Sequence, residues 1–322
     1  GYPIVVSNAT AMNYAIAHSN GVLTVFAEDL AITNQPLDRV VLIGDSASFA
    51  VAVSGTAPFA YQWRKDGTNR LTGKTNATLT LSNAQPVDGG SYSVVVSNIV
   101  GSVTSQVASL TVLVPPILTL APTNMVADAQ SSVSLVSLAT GTAPLSYQWR
   151  KNGSDLPGAT VSTLSLNNVT TNDAGSYQVV VTNVAGSVTS VVATVSIHQL
   201  ASSLTWTNPL AIGYGTAVGP VHLNASADVS GSFVYTPTNG TLLSAGVHTL
   251  RVNFTPNDQV NHQPASKNVN LTVTPAPLVV RAEDQSRIYG QTNPVLTASF
   301  AGFVNGETND VLNTQPLLRT VA

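Results

Sequence analysis

Apolar and small polar side chains alternate through residues 47–54, so that Phe49, Val51 and Val53 point to one face while Ser48, Ala50 and Ala52 point to the other. That period of two is the signature of a half-buried strand. Comparable runs follow at Leu204-Thr205-Trp206, Phe233-Val234-Tyr235-Thr236 and Leu271-Thr272-Val273, with turn residues between them. Short alternating runs broken by turns predict an all-β chain of small antiparallel β-sandwiches.

Two segments copy each other, the mark of a repeat architecture. Thr56-Ala57-Pro58-Phe59-Ala60-Tyr61-Gln62-Trp63-Arg64-Lys65-Asp66-Gly67 returns as Thr142-Ala143-Pro144-Leu145-Ser146-Tyr147-Gln148-Trp149-Arg150-Lys151-Asn152-Gly153. Downstream, Asp88-Gly89-Gly90-Ser91-Tyr92 returns as Asp173-Ala174-Gly175-Ser176-Tyr177. The spacing between the copies shortens by one residue between the tryptophans and the tyrosines. The deletion therefore lies in the turn region after Lys-x-Gly, where loops tolerate it. Pro115-Pro116 separates the copies, because two prolines cannot both continue a hydrogen-bonded strand. Linkers this short predict semi-rigid stacking of neighbours.

Each copy resembles the immunoglobulin fold, with an inward-facing strand B, a buried Trp on strand C and a tyrosine corner opening strand F. The resemblance implies a structural core of Trp63, Tyr92, Val51 and Val94 in the first copy and Trp149, Tyr177, Ser137 and Val179 in the second. The family's disulfide cysteines would occupy the positions of Val51 and Val94, and of Ser137 and Val179. The chain has no cysteine. Packing around Trp63 and Trp149 must then replace a crosslink that contributes about 4 kcal/mol over such a loop. Cysteine-free copies of this type resemble the tandem immunoglobulin modules of large bacterial surface and secreted proteins.

The following segment resembles a further bacterial immunoglobulin-like family through Tyr214-Gly215-Thr216, Ala245-Gly246-Val247-His248-Thr249-Leu250 and Phe254-Thr255-Pro256. Ile288-Tyr289-Gly290-Gln291-Thr292-Asn293-Pro294 and Gly302-Phe303-Val304-Asn305-Gly306-Glu307-Thr308 resemble the first half of the MBG module of the Tyr-Gly-x type. Motifs resembling its second half stand at the other end: Gly1-Tyr2-Pro3-Ile4, Asn13-Tyr14-Ala15-Ile16 and Asn20-Gly21-Val22-Leu23-Thr24-Val25. These resemblances divide the chain into a partial MBG-like module (1–26), two immunoglobulin-like domains (29–114 and 115–197), a bacterial immunoglobulin-like domain (199–275) and a second partial MBG-like module (277–322). They imply a window cut from a longer array.

Composition narrows the function. Charged residues make up 8% of the chain and the net charge is −3, so no strong field draws in nucleic acid or anionic lipid. Without cysteine there is no disulfide, thiol nucleophile or zinc-thiolate site. Hydrophobic residues reach 43%, yet no run approaches the roughly 18 apolar residues of a membrane helix.

Candidate chemistry is thin. Gly213-Tyr214-Gly215-Thr216-Ala217-Val218-Gly219 has its last glycine displaced from a dinucleotide loop and reads as a hairpin turn. His18, His198, His222, His248 and His262 lack metal-ligand spacing, and no Gly-x-Ser-x-Gly elbow occurs. Glu28-Asp29, Glu283-Asp284 and the pair Glu307 and Asp310 offer few carboxylates for calcium, which takes six to eight oxygens. Trp206, Tyr214 and Tyr289 are the remaining candidates for a sugar-stacking face, against a packing role at strand edges. The expectation is no enzyme, no cofactor and no catalytic or metal site. The segment reads as a structural spacer and display region of a bacterial secreted or cell-surface protein, with adhesion as its setting. Its partners would be neighbouring modules and an unidentified glycan or protein. The alternatives are a glycan- or protein-binding module, or an accessory region of an extracellular hydrolase.

Overall fold

The computed structural model describes residues 2–8, 16–17 and 19–320. His18 and the Asn13-Tyr14-Ala15 motif lie outside the described residues. The fold is an all-β array of immunoglobulin-like sandwiches, and its chain forms two compact units. One comprises Gly1–Thr123, Leu135–Leu164 and Tyr177–Ala193; the other comprises Asn124–Ser134, Ser165–Ser176 and Thr194–Ala322.

In the first unit, the first copy builds one sheet in the order Arg39–Leu42, Ala108–Leu113, Gly90–Ser97, Ala60–Lys65, Asn69–Arg70, with Ser102–Thr104 also on Gly90–Ser97. Arg39–Leu42 runs parallel to Ala108–Leu113 and the other pairings are antiparallel. Ala47–Ala50 pairs with Thr78–Leu81, and Ala31–Asn34 with Ala52–Ser54. The alternation places Ala47, Phe49 and Val51 in the core while Ser48, Ala50 and Ala52 stay exposed. They meet Trp63, Tyr92, Val94 and Val96 from the larger sheet. The Phe49 ring stacks on Tyr92 at 5.0 Å and lies 6.2 Å from Trp63. Each such buried large side chain stabilises the fold by about 1.5–3 kcal/mol.

The second copy contributes part of the same pairings to this unit. Ser146–Lys151 pairs with Tyr177–Thr182 in the register Trp149 opposite Val179, as Trp63 stands opposite Val94. The deletion sits in the hairpin that follows. Lys65 reaches Asn69 through Asp66, Gly67 and Thr68, whereas Lys151 reaches Ser154 through Asn152 and Gly153 alone. Asp66 and Gly67 have φ of +49° and +83°, and Asn152 and Gly153 have +51° and +85°. The left-handed pair is thus common to both turns, and Thr68 is the extra residue. At the N-terminal end, Tyr2–Ile4 pairs with Gly21–Leu23, all exposed.

In the second unit, Met125–Asp128 runs parallel to residues 195–198. The main sheet has the order Ile212–Gly213, Ala265–Thr274, Gly246–Pro256, Gly231–Thr236. Its core holds Trp206, Val218, Leu250, Val252, Val269 and Leu271. The glycine turn read from the sequence begins later than expected: Ile212 and Gly213 pair in parallel with Val273 and Thr274. Val279–Ala282 and Ala298–Ala301 form a separate two-stranded sheet.

Candidate functional site

The core residues singled out by sequence are drawn inward. Trp63, Trp149, Val94, Val179 and Ser137 are fully buried, Tyr92 and Tyr177 nearly so, and Val51 is 8% exposed. Trp63 Nε1 donates to the Asn76 carbonyl and Trp149 Nε1 to the Val161 carbonyl, each at 2.9 Å. The Tyr92 hydroxyl donates to the Asp88 carbonyl at 2.7 Å, and burial, then Asp88 and Asp66, pushes its pKa up to about 12. Ser137, where the first copy has Val51, spends its hydroxyl on the Leu120 carbonyl at 2.9 Å. A buried polar group bonded in this way carries little penalty. These groups form the frame of each copy.

Of the sugar-stacking candidates, Trp206 is 4% exposed and donates Nε1 to the His222 carbonyl at 3.1 Å. It belongs to the core. The Tyr214 hydroxyl donates to Glu307, which raises its pKa. Tyr289 is fully exposed. Tyr214, Ala245, Leu278, Phe303, Val304 and Leu312 line an apolar cleft of about 280 Å³. Asp258 is bound by the backbone and side-chain N–H groups of Asn261, which lower its pKa. Among the described residues, no group of three or more His, Asp or Glu could hold a metal ion. No helix among them is long and apolar enough to cross a membrane.

A repeated device that sequence reasoning missed holds the segment leading into each copy. Glu28 N–H donates to Thr56 Oγ1 at 2.6 Å and Thr56 N–H donates back to the Glu28 carbonyl at 3.3 Å. In the second copy, Val114 N–H donates to Thr142 Oγ1 at 2.8 Å, and Thr142 N–H to the Val114 carbonyl at 2.9 Å. Asn98 Nδ2 bonds the Thr56 carbonyl, while Asn183 Nδ2 bonds the carbonyls of Thr142 and Val114. The preceding glycines make this approach feasible. A Cβ on Gly55 would stand 2.7 Å from the Asp29 carbonyl oxygen, and one on Gly141 3.0 Å from that of Pro115. Gly-Thr-Ala-Pro, legible as a copied motif, is therefore a clamp on the incoming chain.

The outer sheet face is where the copies part. In the second, Arg150 faces Asp155 across the hairpin and Nε bonds Oδ1 at 2.6 Å. In the first, Arg64 faces Arg70. Neither has a carboxylate within 4.0 Å among the described residues, and the Arg64 Nε is buried without a hydrogen-bond partner.

The comparisons agree with this architecture. The immunoglobulin domain family matches residues 31–98 and 115–183, and the MBG domain (YGX type) matches 278–322. The chain carries tandem immunoglobulin-like domains and an MBG module. Among curated proteins, this chain is 29% identical over 191 residues to mouse Roundabout homolog 1, covering 55% of this chain and 12% of that protein. It is 33% identical over 165 residues to Endoglucanase C of Cellulomonas fimi, covering 48% of this chain and 15% of that protein. The chain thus spans a small fraction of these relatives. Among solved structures, the I-band fragment I67–I69 of titin aligns with 78% of this chain and 99% of its own, at 16% identity and a TM-score of 0.48.

Proposed function

We propose that this immunoglobulin–MBG segment is a non-catalytic spacer and display region of a bacterial extracellular or cell-surface protein. Its working units are residues 29–114, 115–197 and 199–275, with MBG-like pieces at 1–26 and 277–322. The observation that supports this reading is the clamp: Thr142 and Asn183 fasten the Val114 linker by three hydrogen bonds. A linker absorbed into the next module transmits orientation instead of swinging freely. The landmark side chains are meanwhile committed to cores. Small-angle scattering of the chain tests this: an extended particle supports the spacer, and a compact one contradicts it.

A second reading has its own support. The similarity to Endoglucanase C is what an accessory region of an extracellular hydrolase would show. The sequence flanking this segment in its gene decides between them. A glycoside hydrolase domain in the same chain favours the accessory role, and further repeats favour the spacer.

A further inference from the structure

We infer that the outer sheet face of the first immunoglobulin-like domain binds carboxylate groups of an acidic polysaccharide through Arg64 and Arg70. This goes beyond the spacer reading and stands independently of it. Arg64 and Arg70 are cross-strand neighbours on Ala60–Lys65 and Asn69–Arg70, an arrangement that like charges oppose. A pair of this kind is costly unless an anion joins it, and the chain itself supplies none within 4.0 Å among the described residues. The second copy shows what completion looks like: Asp155 occupies the place of Arg70 and bonds Arg150 Nε at 2.6 Å. A carboxylate at the first copy's pair would supply the counter-charge that neither Arg64 nor Arg70 finds among the described residues of the chain.

The immediate surroundings sharpen the ligand. Lys65 Nζ is already committed to the Val87 carbonyl, and the Asp66 carboxylate accepts the Ser91 N–H at 2.9 Å. The adjacent Lys65 and Asp66 are thus engaged elsewhere, and Asp66 does not pair with either arginine within 4.0 Å. On the face shared with Arg64, cross-strand registers place Gln62 opposite Val95, Val95 opposite Thr104, and Ser97 opposite Ser102. Ser93 stands directly opposite Arg64. Gln62 spends its amide on the Trp63 and Leu71 carbonyls and Ser93 is buried, which leaves the hydroxyls of Ser97, Ser102 and Thr104 beside the two arginines. Cations beside hydroxyl groups match a chain whose carboxylates are separated by hydroxylated rings. A uniformly acidic peptide would need cations spread along the whole face. A nucleic acid would need many more phosphate contacts than two arginines provide.

The experiment titrates the whole chain with oligogalacturonate, with a neutral cello-oligosaccharide and with a poly-glutamate peptide, read by calorimetry or chemical-shift perturbation. The expected result is oligogalacturonate binding that weakens with salt, perturbs residues 62–70 and 93, and is absent for the neutral sugar. Arg70→Asp should weaken it at least tenfold while leaving the fold intact, because the substitution recreates the ion pair of the second copy at an exposed position. Asp155→Arg should add a second site of similar affinity. Equal binding by wild type and Arg70→Asp would overturn the proposal, as would failure to bind oligogalacturonate. Tighter binding of poly-glutamate would overturn the polysaccharide assignment.

Discussion

The two immunoglobulin-like copies share most of their interior, with Ser137 in the place of Val51, and differ on their exteriors. Trp63 and Trp149 face Val94 and Val179 in the same register, and both indole N–H groups donate to a carbonyl in the following loop. Val94 and Val179 each give their N–H to a serine hydroxyl, Ser105 and Ser190, both at 3.0 Å. The linker clamps match as well. Yet where one copy pairs Arg150 with Asp155, the other sets Arg64 against Arg70. The difference teaches which positions the fold constrains. A close-packed core and a short bonded linker tolerate little change. A pair on the solvent side of a sheet contributes about 1 kcal/mol at most and is open to other uses.

The largest way to break the comparison is through the shared interior. Trp63→Ala should cost about 3–5 kcal/mol, a large share of what one domain possesses. Trp149→Ala should do the same to the second copy. Hydrogen exchange on each variant should show the loss centred in the altered domain; equal loss in both would make them one cooperative unit.

Titration of the tyrosine corner gives a smaller effect. The pKa of Tyr92 is raised from 10 to about 12 in the folded state. Its contribution is therefore complete below the unfolded value of about 10 and is lost as pH rises through about 12. Tyr92→Phe should flatten that alkaline decline and cost about 1 kcal/mol at neutral pH through the lost bond to Asp88. Urea melts from pH 8 to 12 check both, and an unchanged alkaline slope in the variant would assign the decline elsewhere.

The smallest effect sharpens the contrast itself. Arg70→Asp removes a like-charge pair and installs the second copy's ion pair, so it should raise stability by about 0.5–1 kcal/mol, less at high salt. Asp155→Arg should lower it by a similar amount. Thermal melts at two salt concentrations measure both signs.

What was legible in the sequence follows the same inside–outside division. Large aromatic residues at fixed spacing announced the two cores, because burial dictates side-chain type. In the sequence Trp206 stands for a sugar platform or a core residue, since nothing in Leu204-Thr205-Trp206 reveals which face a sheet will cover; the structure buries it. The clamp was visible only as copied letters, because the role of Thr56 and Thr142 depends on a partner 28 residues away. The cross-strand pairing of Arg64 with Arg70 depends on hairpin register. Sliding the copies by the one-residue deletion would have set Arg70 against Asp155 and exposed the contrast.

The clamp bears most directly on the spacer reading, and one measurement addresses it. Spin labels on Ser48 and Ser134 report the distance distribution across the linker in the intact chain. With Thr142 and Asn183 in place, the distribution should be narrow. In the Thr142→Val, Asn183→Ala double variant it should broaden while both domains stay folded. A wild-type distribution as broad as the variant's would contradict the account.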